Sequence, residues 1–85
     1  MKVHQREATD VLARDGETAV LVGENVLRLG ALSSMLYALC ESPIDVGALA
    51  NELEACFGAP ADRSALQATA EAVAEMVRAG ILTEE

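Results

Sequence analysis

The sequence predicts an α+β fold in which a three-stranded antiparallel sheet is followed by three helices. Two observations predict it. The first third of the chain holds short apolar runs separated by turn residues, and the remainder places apolar residues at helical spacing. With 85 residues, the chain is long enough for one small domain only, so we expect a single domain over 1–85 with an ordered core at about 9–82.

Two tight turns divide the first third into three predicted strands. The first strand is expected over 9–15, and Asp15-Gly16 between apolar runs is a strong hairpin signal. The second strand is expected over 18–22. It is apolar on both faces, which is typical of a middle strand that is covered on each side or receives a partner.

The third predicted strand, 26–29, follows a turn at Gly23 and ends before Gly30. Its side chains alternate between two faces, which is the period of a half-buried strand. As the last strand of a small sheet it has an open edge, and such an edge is either used or hidden.

Three helices are predicted from the remaining periodicity. The first ends near Pro43, which cannot continue a helix, and Asp45 is placed to cap the second. Gly58 ends the second helix. The third is expected over 62–79, with Gly80 as a left-handed C-cap and an apolar residue after it.

The third helix carries two neighbouring apolar stripes, so one can pack on the core while the other lines a groove. The first stripe is Leu66, Ala70, Val73 and Val77, and the second is Thr69, Ala72 and Met76.

Charge and composition disfavour several classes of function. A net charge of −8 repels phosphate, and the only aromatic residues are Tyr37 and Phe57, so neither phosphate binding nor base stacking is supported. No catalytic constellation, cofactor loop or metal-spaced cluster can be assembled, and the single histidine, His4, lies in a segment expected to be frayed. We therefore expect a protein that is not an enzyme, with no cofactor, no metal and no nucleic acid as partner.

The cysteines and the N-terminus indicate the compartment. Cys40 and Cys56 occupy apolar helix positions without a C-x-x-C pair, so both are expected to be small buried thiols. The N-terminal residues lack the apolar run of a signal peptide, and no stretch approaches a membrane span. A cytoplasmic protein without a membrane partner is expected.

Three segments carry a resemblance to a known family. They are V-L-R-L-G-A-L-S-S-M-L, then D-V-G-A-L-A-N-E-L, then A-V-A-E-M-V-R-A-G-I-L. In order and spacing they resemble the PqqD-like proteins, the recognition elements for RiPP precursor peptides (RiPPs are ribosomally made, post-translationally modified peptides). The likeness covers roughly residues 9–82.

The resemblance implies a small winged helix-turn-helix that binds the N-terminal leader of a precursor peptide and presents it to a modifying enzyme or leader peptidase, as in lasso-peptide pathways. The leader would add as a fourth strand along Val26, Leu27, Arg28 and Leu29, with its apolar side chains against Leu66, Ala70, Val73 and Val77. Arg28 and Arg63 are candidate partners for acidic leader residues.

Other interpretations stay open at this point. A winged-helix DNA-binding regulator shares the fold but would bring a net negative third helix to DNA. An acyl or peptidyl carrier protein is suggested by Ser33-Ser34 near a helix start, without the Asp that normally precedes the attachment serine. The domain could also bind mainly a protein partner, or form a homodimer through its free edge.

Overall fold

The computed structural model describes residues 1–85 and has an α+β fold with two small antiparallel sheets and three helices. Its elements are β1 (Lys2–Gln5), β2 (Asp10–Arg14), β3 (Glu17–Val22), β4 (Asn25–Leu29), α1 (Ala31–Leu39), β5 (Ile44–Asp45), α2 (Val46–Phe57), α3 (Ala65–Arg78) and β6 (Leu82–Glu84). One sheet has the order β2-β3-β4 and the other the order β5-β1-β6. The three-stranded meander β2-β3-β4 and the three helices agree with the sequence prediction, whereas the second sheet, β5-β1-β6, was not predicted.

Both hairpins of the meander use two-residue turns with the expected glycines. Arg14 pairs with Glu17 across Asp15 and Gly16, which both have positive φ. Two positive φ values are the requirement of a type I′ turn. At the second hairpin only Gly23 has a positive φ, at 61°, as a type II′ turn requires of its first central residue.

The second sheet corrects the expectation of a frayed N-terminus. Val3 of β1 is fully buried, and its neighbours pair with β6 on one side and β5 on the other. His4 lies within this strand, opposite Thr83. The strand is therefore ordered by its pairing with distant segments of the chain. The sequence did not predict it because a single buried apolar residue gives no local periodicity.

Two helix boundaries differ from those predicted. Helix α1 ends at Leu39 with Cys40 as its C-cap, about three residues before the predicted end near Pro43. Residues 44 and 45 are extended because they pair with β1. Proline also disfavours the helical conformation of the residue before it. Helix α3 begins at Ala65, where the Ser64 hydroxyl accepts a hydrogen bond from the N–H of Gln67 at 3.1 Å. The predicted start at Asp62 was wrong.

The end of α3 confirms the predicted left-handed cap. Gly80 has a φ of 87°, and its N–H donates to the carbonyl of Val77 while the N–H of Ile81 donates to that of Met76. This pair of bonds is a Schellman motif, and the buried Ile81 supplies its apolar contact. The cap directs the chain into β6, whose first residue, Leu82, is fully buried.

The core lies between the inner face of the meander, the three helices and the second sheet. Its fully buried large side chains come from every layer: Val3, Val20, Leu36, Cys40, Leu49, Val73, Ile81 and Leu82. Half-buried Leu27 and Leu29 of β4 pack against this cluster. The inner face of β4 is thus fixed by the core, which holds the strand and its free edge in place.

Candidate peptide-binding edge

The free edge of β4 is defined by its pairing with β3. Val22 pairs with Asn25 at the two-residue turn, and the register continues to Thr18 opposite Leu29. A two-residue hairpin closes on a hydrogen-bonded pair, and such pairs alternate with non-bonded ones along an antiparallel ladder. The backbone groups of Leu27 and Leu29 therefore face β3, and those of Val26 and Arg28 face the open side.

The meander has a second free edge, on β2, and that edge is partly covered. The N–H of Val11 donates to the Asp10 carboxylate at 2.9 Å. No side chain makes a comparable hydrogen bond to Val26 or Arg28. The two edges therefore differ, and β4 offers the more accessible backbone donors and acceptors.

Side chains of β4 alternate between the core and solvent as the sequence predicted. Leu27 and Leu29 are half-buried on the inner face, while Arg28 is exposed and Val26 is 60% exposed on the outer face. A peptide strand placed beside β4 would meet apolar side chains on one face and a valine and an arginine on the other.

The predicted α3 contacts are not brought together into one groove with β4. Helix α3 packs mainly on α2 and β6, whereas α1 is the principal helix neighbour of β4. Val73 is 1% exposed and belongs to the core, so its side chain is not available to a bound peptide. Leu66, which is exposed, lines a cleft of about 380 Å³ beside α2. Ala70 is exposed and Val77 is half-buried against the core.

Arg63 is the partner of a carboxylate of its own chain. Its Nη1 lies 2.8 Å from Oε2 of Glu71, in an exposed ion pair. The pair ties the segment before α3 to the second turn of that helix. It also neutralises the charge of Arg63. The other arginine near this helix is Arg78, which is the only basic residue within α3 itself.

The two cysteines lie in different environments. Cys40 is fully buried, and burial raises the pKa of its thiol to about 11, so it is protonated and unreactive in the folded chain. Cys56 is exposed on α2, and the expectation that both thiols are buried was wrong for this residue. It occupies the last turn of the helix, where the apolar stripe no longer faces the core.

The outer face of the meander is the feature that sequence reasoning missed. Leu12 is 63% exposed, and it lies in one row with Ala19 and Arg28 across the three strands. The adjacent row holds Asp10, Leu21 and Val26. The two hairpin turns contained the signal, because each fixes the register and with it the neighbours across each strand.

No helix of the chain combines the length and the apolar character that crossing a membrane requires.

No family model, curated protein or solved structure matches the chain.

Proposed function

We propose that this protein recognises the leader of a ribosomally made precursor peptide, which adds as an extended strand to the free edge of β4. The observation that carries the proposal is the difference between the two edges of the meander. Val26 and Arg28 have unpartnered backbone groups on β4, whereas Asp10 covers the N–H of Val11 on β2. Strand addition uses main-chain hydrogen bonds for affinity and alternate side chains for specificity.

In this proposal β2, β3 and β4 form the wing of a PqqD-like winged helix-turn-helix, and the three helices form its body. The second sheet is an addition that anchors both ends of the chain to the body. The domain has no chemistry of its own. It delivers the leader to a modifying enzyme or leader peptidase that processes the attached core peptide.

DNA binding is less well supported than peptide binding. Arg63 is already paired with Glu71, and α3 also exposes Glu75. A helix with this balance would bring negative charge towards phosphate.

The experiment is calorimetric titration with synthetic leaders taken from short open reading frames encoded beside the gene. We expect at least one to bind with micromolar or tighter affinity. Val26→Pro should weaken it by about tenfold or more, because proline removes the edge donor and obstructs an incoming strand. It should leave the fold intact, since the N–H of Val26 takes no part in the ladder with β3.

Val11→Pro is the matched control. It removes an N–H from the opposite edge, where the only bond lost is to the exposed Asp10 carboxylate. Unchanged affinity in Val26→Pro, or equal weakening in both variants, would contradict strand addition at β4. Circular dichroism and thermal melting would establish that both variants fold.

A further inference from the structure

The outer face of the meander presents two incomplete cross-strand rows at the β4 edge. One row runs Leu12, Ala19, Arg28, and the other runs Asp10, Leu21, Val26. A fourth strand would add one residue to each row. Side chains directly opposite one another on one face of a sheet have Cβ atoms about 4.5–5.5 Å apart, so each added side chain would contact its neighbour on β4.

Arg28 is the charged residue of β4, and it has no ion-pair partner. The two ion pairs of the chain join the N-terminal amine to Asp45 and Arg63 to Glu71. Arg28 instead borders an open cleft of about 430 Å³ on the outer face.

The other charged groups bordering this cleft are Arg14, Asp15 and Glu17. All three belong to the β2–β3 hairpin, and Glu17, at the start of β3, is a diagonal neighbour of Arg28, which pairs directly with Ala19. They lie on the side away from the β4 edge. Of the charged groups that border this cleft, Arg28 is therefore the only one on the strand that an added strand would pair with.

Val26 gives the second row the opposite character. It is 60% exposed, and half-buried Leu21 lies behind it on β3. An apolar residue opposite Val26 would cover both side chains and remove their surface from water. The edge thus offers one position that favours a carboxylate and one that favours an apolar side chain.

We infer that the outer face of the β4 edge selects extended peptides in which an acidic residue precedes an apolar residue by two positions. This inference depends on the proposed function, since it specifies the peptide that the edge accepts. The order follows from an antiparallel addition, in which the residue opposite Arg28 comes before the residue opposite Val26. Antiparallel pairing is the mode of both sheets of this chain and is slightly the more stable mode per residue.

The experiment uses a phage-displayed library of random twelve-residue peptides, selected on the wild-type protein, on Arg28→Glu and on Arg14→Glu. Arg14→Glu is the matched control, because it reverses a charge on the same outer face but on the far strand, β2. Enriched peptides are then synthesised with Glu, Gln or Lys at the acidic position, and their affinity is measured by fluorescence anisotropy.

We expect the wild type and Arg14→Glu to enrich Asp or Glu two positions before an apolar residue, and to prefer Glu over Lys on the order of tenfold. Arg28→Glu should reverse this preference. The inference would be overturned if peptides bind with an affinity that Val26→Pro lowers, but show no charge preference or keep the same preference in Arg28→Glu. The proposed function would stand in that case. If the enriched peptides carry the apolar residue two positions before the acidic one, and Arg28→Glu still reverses the charge preference, the antiparallel assignment would be overturned. No enrichment over an unrelated domain would overturn both proposals.

Discussion

The Asp10 carboxylate accepts a hydrogen bond from the N–H of Val11, at 2.9 Å, on the outer edge of β2. An edge strand with unpaired N–H groups is a template for pairing with another chain, and a charged side chain placed over such a group opposes it. Asp10 thus protects one edge of the meander, while the other edge stays accessible.

Asp10→Ala should increase self-association, because it frees the N–H of Val11 and removes a charge from the edge. Sedimentation velocity at increasing protein concentration measures the effect. Glu17→Ala is the control, since it removes the same negative charge from the neighbouring strand of the hairpin without freeing a backbone donor. Equal behaviour of the two variants would show that Asp10 acts only through the net charge.

Ser64→Ala should lower the free energy of unfolding by about 1 kcal/mol, because the hydroxyl caps α3 by accepting from the N–H of Gln67. Asp62→Ala should change it by less than about 0.5 kcal/mol, since Asp62 is exposed and precedes the cap. Urea denaturation of both variants measures the difference. A larger loss in Asp62→Ala would place the start of the helix where the sequence pattern predicted it.

Asp45 should make stability depend on pH in the acidic range. The N–H of Gly47 donates to its Oδ1 at 2.8 Å, and this bond, followed by the N-terminal amine and Lys2, lowers the pKa of the carboxyl. A carboxyl with a lowered folded-state pKa stabilises the fold above its unfolded value, about 3.9, and this contribution is lost as the pH falls through the folded value.

Asp45→Asn should therefore flatten the fall in melting temperature below about pH 4, while an amide cap still supports α2 near neutrality. The measurement is the melting temperature between neutral and acidic pH. Asp62→Asn, which alters a carboxyl outside any helix cap, should keep the wild-type profile. An unchanged profile in Asp45→Asn would contradict the role assigned to the cap.

The two thiols should react at very different rates. At neutral pH a thiol reagent should modify Cys56 rapidly, because it is exposed, whereas Cys40 is buried with its pKa raised to about 11 and should react only when the chain unfolds. Intact mass against time distinguishes one fast modification from two. Cys56→Ser should abolish the fast phase, and rapid labelling of that variant would contradict the burial of Cys40.

The elements that the sequence predicted are those with local causes. The hairpin at Asp15 and Gly16 and the cap at Gly80 depend on residues that suit left-handed backbone, and the structure has both. The free edge of β4 was also accessible to prediction, because alternation and two short turns determine it.

The parts that were missed have causes distant in sequence. In β1 only Val3 is buried, and its strand exists through pairing with β5 and β6. The exposure of Leu66 and burial of Val73 depend on the rotation of α3 against α2, which two adjoining apolar stripes leave undecided. Ser64 and Asp62 are both good cap residues, so only the path of the loop selects between them.

The pairing of β1 with β6 has a consequence for the order of folding. Val3 lies opposite Glu84, and the N–H of Glu85 donates to the carbonyl of Lys2. Contacts between residues so far apart in sequence close the largest loop that the chain can form, and their entropic cost delays them until the hairpins and helices have assembled. Substitutions at Val3 should then act mainly on the unfolding rate, so this small sheet governs how long a folded molecule persists.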